Sequence, residues 1–103
     1  MEIVWHAHNA VISDRLKQRA TRALDKVAAR LPRAVHGVVR FEREGMRCRV
    51  EVLLQAPRHK TLVAEGHGRY YGPALAAAIA HLTGQVERDR RVAKDRARPV
   101  RTP

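Results

Sequence analysis

The chain has 103 residues, enough for one small domain, and its 21 Lys and Arg against 10 Asp and Glu leave a formal net charge of +11. Hydrophobic residues make up 45% of it, which excludes a wholly disordered chain, and no apolar run approaches the ~18–20 residues a membrane helix needs. The single Cys48 excludes an intramolecular disulfide and a Cys-built zinc site, and Met1-Glu2-Ile3-Val4-Trp5 lacks the basic-then-apolar order of a secretory signal, so a cytoplasmic location is expected. So much positive charge on so short a chain points to a polyanionic partner, nucleic acid first.

Glu2 to His8 alternates, with Ile3, Trp5 and Ala7 on one side and Val4, His6 and His8 on the other, which predicts a strand. Ser13 stands where a helix N-cap belongs, and Asp14 follows in the first turn, where a carboxylate suits the helix dipole. From Asp14 to Leu31, Leu16, Ala20, Ala23, Leu24, Val27, Ala28 and Leu31 recur every three or four residues. That stripe predicts an amphipathic helix ended by Pro32. Its other face carries Arg15, Lys17, Arg19, Arg22, Lys26 and Arg30, either as a solvated face or as RNA contacts.

Two further alternating segments, Ala34–Glu44 and Met46–Ala56, flank Glu44-Gly45 and predict a long antiparallel hairpin. Met46, Cys48, Val50, Val52 and Leu54 are expected on its inward face, with Arg47, Arg49, Glu51, Leu53 and Gln55 outward. Pro57-Arg58 makes the next turn, and His59–His67 is a last strand with Leu62 and Ala64 inward, ended by Gly66 and Gly68. The order β-α-β-β-β-α predicts an α+β two-layer sandwich: a four-stranded sheet with both helices on one face, the first strand joining in parallel through a crossover. Residues 1–96 form the single domain, and 97–103, with two prolines and no periodicity, are expected to be a disordered basic tail.

The last helix is expected from Pro73, suited to a first turn, to Lys94, a span of about 33 Å. Leu75, Ile79, Leu82 and Val86 form its packing stripe, and Gly84 marks a bend or a close approach. Beyond them stand Arg88, Arg90, Arg91, Lys94, Arg96 and Arg98, more cations than a helix C-terminus needs, and phosphate binding is the favoured reading.

Residues suited to chemistry do not assemble into a reactive set. His6-x-His8 shares a strand face without an acidic or Cys partner, and Cys48 reads as a small core residue. Gly66-His67-Gly68 lacks the remainder of a phosphate loop, and Tyr70-Tyr71 either stacks on bases or covers the helix–sheet edge. No enzyme activity, metal or cofactor is expected.

Several short segments, in order, carry a resemblance. Ile12-Ser13-Asp14-Arg15-Leu16, Ala64-Glu65-Gly66, and Ile79-Ala80-His81-Leu82 with Gln85-Val86 followed by basic residues match, respectively, the opening of the first helix, the end of the last strand and the terminal helix of one family. The chain resembles the ribosome hibernation promoting factor family, also called ribosome-associated inhibitors, from about Met1 to Arg96. It departs at Gly68–Leu75, where the family has an Asp-Met/Leu-Tyr-Ala-Ala-Ile-Asp segment, and its helix end is Arg-rich where the family's is Lys-rich. It reads as a short, divergent form without the long form's C-terminal domain.

The resemblance implies binding to rRNA of the small ribosomal subunit in the mRNA and tRNA channel, a steric block to translation under stress or in stationary phase. It further implies no small-molecule substrate and no membrane, with a monomer off the ribosome. Carried over by position, Arg88, Arg90, Arg91 and Lys94 fall in the family's basic RNA-facing segment, with Arg96 beside them. Arg22, Lys26, Arg47 and Arg49 are secondary RNA-binding candidates. A general double-stranded RNA binder shares the α-β-β-β-α part of this order and would show no preference for ribosomes. A small enzyme built on Cys48, and an adaptor docking through Val38, Leu53 and Val63 of the open sheet face, are the remaining alternatives.

Overall fold

The computed structural model describes residues 1–31, 36–56 and 61–97, with side chains through Arg91. Six elements follow in order: β1 (Glu2–His8), α1 (Asp14–Ala28), β2 (His36–Glu44), β3 (Arg47–Gln55), β4 (Leu62–Gly68) and α2 (Tyr71–Ala97). The four strands form one sheet in the order β1-β2-β3-β4. The β1–β2 pair is parallel, and the β2–β3 and β3–β4 pairs are antiparallel. This is the expected α+β arrangement, and the parallel pair follows from α1 carrying the chain back across the sheet.

α1 begins where its capping residues dictate. The Ser13 hydroxyl accepts a hydrogen bond from the Leu16 N–H at 3.2 Å, relieving one of the unpaired N–H groups of the first turn. The helix ends at Ala28, and its last turn tightens, with Arg30 N–H donating to Val27 O and Leu31 N–H to Ala28 O. Pro32, the Pro57-Arg58 turn, His59 and the tail 98–103 lie outside the described residues.

The core lies between the sheet and the helices. Ala20, Leu24 and Val27 of α1 and Ala74, Leu75, Ala78, Leu82 and Val86 of α2 bury against Val39, Phe41, Val50, Val52, Leu54, Leu62 and Ala64. Cys48 joins this core at 4% exposure, its thiol donating to Arg69 O at 3.4 Å. Phe41 is the hub of the aromatic side chains, stacked on Trp5 with ring centroids 6.3 Å apart and edge-on to Tyr71 at 5.7 Å. Tyr71 therefore belongs to the helix–sheet junction, while Tyr70 is exposed. The Tyr71 hydroxyl is buried without a hydrogen-bond partner, and burial is the first cause that pushes its pKa up.

Three expectations are corrected. Met46 does not face inward: it occupies the Gly45–Met46 turn at 82% exposure, because the hairpin pairs Glu44 with Arg47 and Gly45 takes a φ of +61°. Gly66 does not end its strand. β4 runs on to Gly68, and Gly66 is buried where α2 passes closest. A Cβ there would clash with Ala74 O, lie 2.5 Å from Ala78 N and 2.9 Å from the Ala77 Cβ. The close approach is therefore at Gly66, not Gly84, which has open space around it. Finally, α2 spans 27 residues, about 40 Å, longer at both ends than Pro73–Lys94.

Two stability measurements test this packing. Gly66→Ala is expected to cost about 2–3 kcal/mol in thermal or urea unfolding, since backbone must move to admit one methyl. Tyr71→Phe removes an unpaired buried hydroxyl and keeps the ring, so it should be neutral or stabilise by about 1 kcal/mol.

Candidate nucleic-acid interface

The basic residues of α1 fall into one line. Arg15, Arg19, Arg22 and Lys26 are separated by four, three and four residues, so they stack along one edge of the helix, one cation per ~5.4 Å turn, and Arg30, in the turn just past Ala28, continues the line. That edge borders a groove of about 750 Å³ between α1 and α2. The five cations form its wall, and Ala23, Val27, Ile79 and Thr83 are its apolar and neutral lining. Ile79 is only half-buried because it opens onto this groove instead of the sheet. Lys17 does not share the line: it turns the other way, its Nζ 6.0 Å from the centroid of the Trp5 ring.

The groove continues onto α2 through one carboxylate. Glu87 pairs with Arg30, in the turn that follows α1, and lies 3.9 Å from Arg90 of its own helix. Arg90 therefore extends the α1 line. Arg88 does not: it points to the opposite side of α2, where it borders a shallow depression with Val63, His67, His81 and Gln85. Arg88, Arg90 and Arg91 are all exposed. Lys94 and Arg96 fall on the last turns of α2, whose description there covers the backbone alone.

The depression beside Arg88 lies along the outer edge of β4, and α2 stitches that edge shut. The Gln85 side-chain amide donates to Val63 O and His81 Nδ1–H donates to Glu65 O, both at 2.7 Å. These carbonyls would otherwise be unpaired on an edge strand.

The two candidates on β3 are placed apart from the helical basic face. Arg47 sits exposed at the hairpin end. Arg49 lies on the far side of the sheet, where its guanidinium donates to Glu65 at 2.6 and 2.8 Å, to Glu51 at 2.8 Å and to Glu42 at 3.3 Å. Three carboxylates thus already occupy the donors of Arg49, whereas Arg22 and Lys26 face the open groove. Sequence reasoning singles out Arg22 and Lys26 on α1. Arg15, Arg19 and Arg30, read from the sequence on the same basic face as either solvated or RNA-contacting, complete the row, and their four-and-three spacing is the signal that groups them with Arg22 and Lys26.

The Glu65 carboxyl is held below its ordinary range, first by the hydrogen bonds from Arg49, then by His67 at 3.5 Å. A carboxyl with a depressed folded-state pKa stabilises the fold above its unfolded pKa, and that contribution is lost as pH falls through the folded value. Thermal melts from about pH 6 to about pH 3 should therefore show a smaller acid-side loss for Glu65→Gln than for the native chain.

Comparison with known proteins places the chain. Its structure is similar to that of the Protein Y N-terminal domain from Thermus thermophilus, with a TM-score of 0.75 and 20% identity over 85% of this chain and 98% of that one. It is likewise similar to a ribosomal subunit interface protein from Coxiella burnetii, with a TM-score of 0.77 and 15% identity over 87% of this chain and 98% of that one. At such identities these likenesses concern the fold. No curated protein matches the sequence. The family model described as sigma 54 modulation protein / S30EA ribosomal protein matches residues 3–94. The chain therefore belongs to the sigma 54 modulation protein / S30EA ribosomal protein family, a family of ribosome-associated factors related to ribosome hibernation.

Proposed function

We propose that this protein binds rRNA of the small ribosomal subunit through its helical face and blocks the mRNA and tRNA channel under stress or in stationary phase. The observation that carries the proposal is the line of five cations along one edge of α1 and the turn that follows it, continued by Arg90 on α2. A run of cations, one per helical turn on a rigid support, suits a run of phosphates. Guanidinium groups bind phosphate oxygens in pairs and release condensed counterions as they do so. Arg88 and Arg91, with Lys94 and Arg96 farther along α2, extend the contact area beyond the groove. Arg47 and Arg49 lie outside this surface, and Arg47 is the freer of the two to reach RNA.

The mechanism needs no covalent step. A domain seated in the channel excludes mRNA and the anticodon stems of tRNA by volume, and electrostatics sets its residence time. The protein acts in the cytoplasm, where ribosomes are. The proposal also accounts for the apolar lining of the groove: Val27 and Ile79 lie between α1 and α2, and so help fix Arg90 of α2 relative to the α1 line.

Two triple variants test this. Arg19→Ala/Arg22→Ala/Lys26→Ala and Arg88→Ala/Arg90→Ala/Arg91→Ala should each weaken cosedimentation with small subunits. Each should also flatten the salt dependence of binding, by about one unit of log–log slope for every phosphate that the variant no longer neutralises. Unchanged cosedimentation of both variants would remove the helical face from the proposal. Equal affinity of the native chain for ribosomes and for an arbitrary RNA duplex would replace it with general double-stranded RNA binding.

A further inference from the structure

The sheet face turned away from the helices has a charge pattern unlike the remainder of the chain. Pairing across the four strands sorts its side chains into rows. One row is apolar: Val4, Val38, Leu53 and Val63. The next is His6, Arg40, Glu51 and Glu65, and the next His8, Glu42, Arg49 and His67. The two polar rows hold three carboxylates and two guanidinium groups, on a protein whose net charge is +11. Such a face repels RNA phosphate more than it attracts it.

The order of signs within each row matters more than their sum. From β1 to β4 the second row runs His, Arg, Glu, Glu, and the third runs His, Glu, Arg, His. Reversing either row sets each Arg against a Glu. A two-fold axis parallel to the strands, between β2 and β3 in the plane of contact, performs that reversal, laying β1 over the partner's β4 and β2 over its β3. Arg40, already 3.9 Å from Glu51 of its own chain, then also meets Glu51 of the other copy, His6 meets Glu65, and Arg49, already paired with Glu42 of its own chain, meets the other copy's Glu42, so that the axis merges pairs within each chain into four-charge clusters. His8 meets His67. The apolar row meets itself, Val4 on Val63 and Val38 on Leu53. Two such twisted faces pack about 10 Å apart with their strands within about 30° of each other, so the rows stay in register near the axis.

We infer that this open sheet face is a self-association surface and that its occupant is a second copy of this chain, packed sheet to sheet about that axis. The inference stands apart from the ribosomal reading, because both basic helical faces remain outward in the dimer. It differs from the monomer that the family resemblance implies. Four strands ~4.8 Å apart and three rows ~7 Å apart cover only about 400 Å² of plan area per copy, well under the ~800 Å² per partner of a standard interface. The dimer is therefore weak and forms only at high protein concentration. It needs enough salt to screen the repulsion between two strongly basic chains.

Sedimentation velocity at about 0.2 M salt, over a concentration series to ~1 mM, tests this on the native chain. Weight-average mass should rise with concentration toward that of a dimer. R40E makes its row repel itself, and E51R does so with the opposite sign, so each alone should weaken association at least tenfold. Mixed in equal amounts, R40E and E51R should form a heterodimer at least as readily as the native chain pairs. Circular dichroism reports whether E51R, beside Arg49, still folds. If it does not, Val63→Asp, at a site already 43% exposed, replaces it as the disrupting variant and should lower association by a similar factor. A native chain that stays monomeric to ~1 mM overturns the inference, and so does association that R40E and Val63→Asp leave unchanged.

Discussion

The close approach of α2 to β4 at Gly66 is the constraint on which the arrangement depends. A strand and a helix backbone meet there with no side chain between them, and Ala74, Ala77 and Ala78 are the residues that fit on the helix side. That contact fixes the height and rotation of α2 over β3 and β4. Rotation decides which way every later α2 side chain points. Leu75, Leu82 and Val86 go into the core, Ile79 toward α1, and His81 and Gln85 to the β4 edge. Arg90 then falls beside Glu87 and Arg30, and Arg88 on the far side. One missing methyl group on a strand thus sets the course of the basic surface some four turns away.

The two layers have divided the charge between them. Among the described residues of the helical layer, Glu87 is the carboxylate that forms ion pairs with the cations, and it joins Arg30 to α2. The sheet layer cancels its charges locally, with Arg49 gathering Glu42, Glu51 and Glu65 around one guanidinium. Exposed pairs of this kind contribute little each to stability. Their larger effect is to keep the outer sheet face from becoming a second polyanion-binding surface.

Much of this is legible from residue order, because the local signals agree with one another. Alternation in β1, β2 and β3, the three-and-four spacing of α1, the Ser13 cap and the Gly45 turn each specify local geometry, and together they leave few topologies. Met46 escapes such reading because alternation alone does not say where a strand stops, and the turn's register decides it. Gly66 escapes it because a glycine in a strand signals a missing side chain without saying what occupies the space. The candidate site is legible only in part. Arg22 and Lys26 can be picked from their helix, but whether a cation faces a groove, an aromatic ring or three carboxylates is a matter of tertiary placement. Lys17 over Trp5 and Arg49 among its glutamates are cases where that placement separates a basic residue from the helical face.

The stitched edge of β4 has a bearing on how this protein can fail. A sheet extends into a fibre only if each added copy offers a fresh strand edge at both ends. Here the β4 carbonyls at Val63 and Glu65 are taken by Gln85 and His81, and β1 has β2 as its single neighbour. Copies joining edge to edge would therefore meet less readily through β4, where two carbonyls are already taken, than through β1. A native fold stitched on one flank is thereby a poorer template for its own polymerisation.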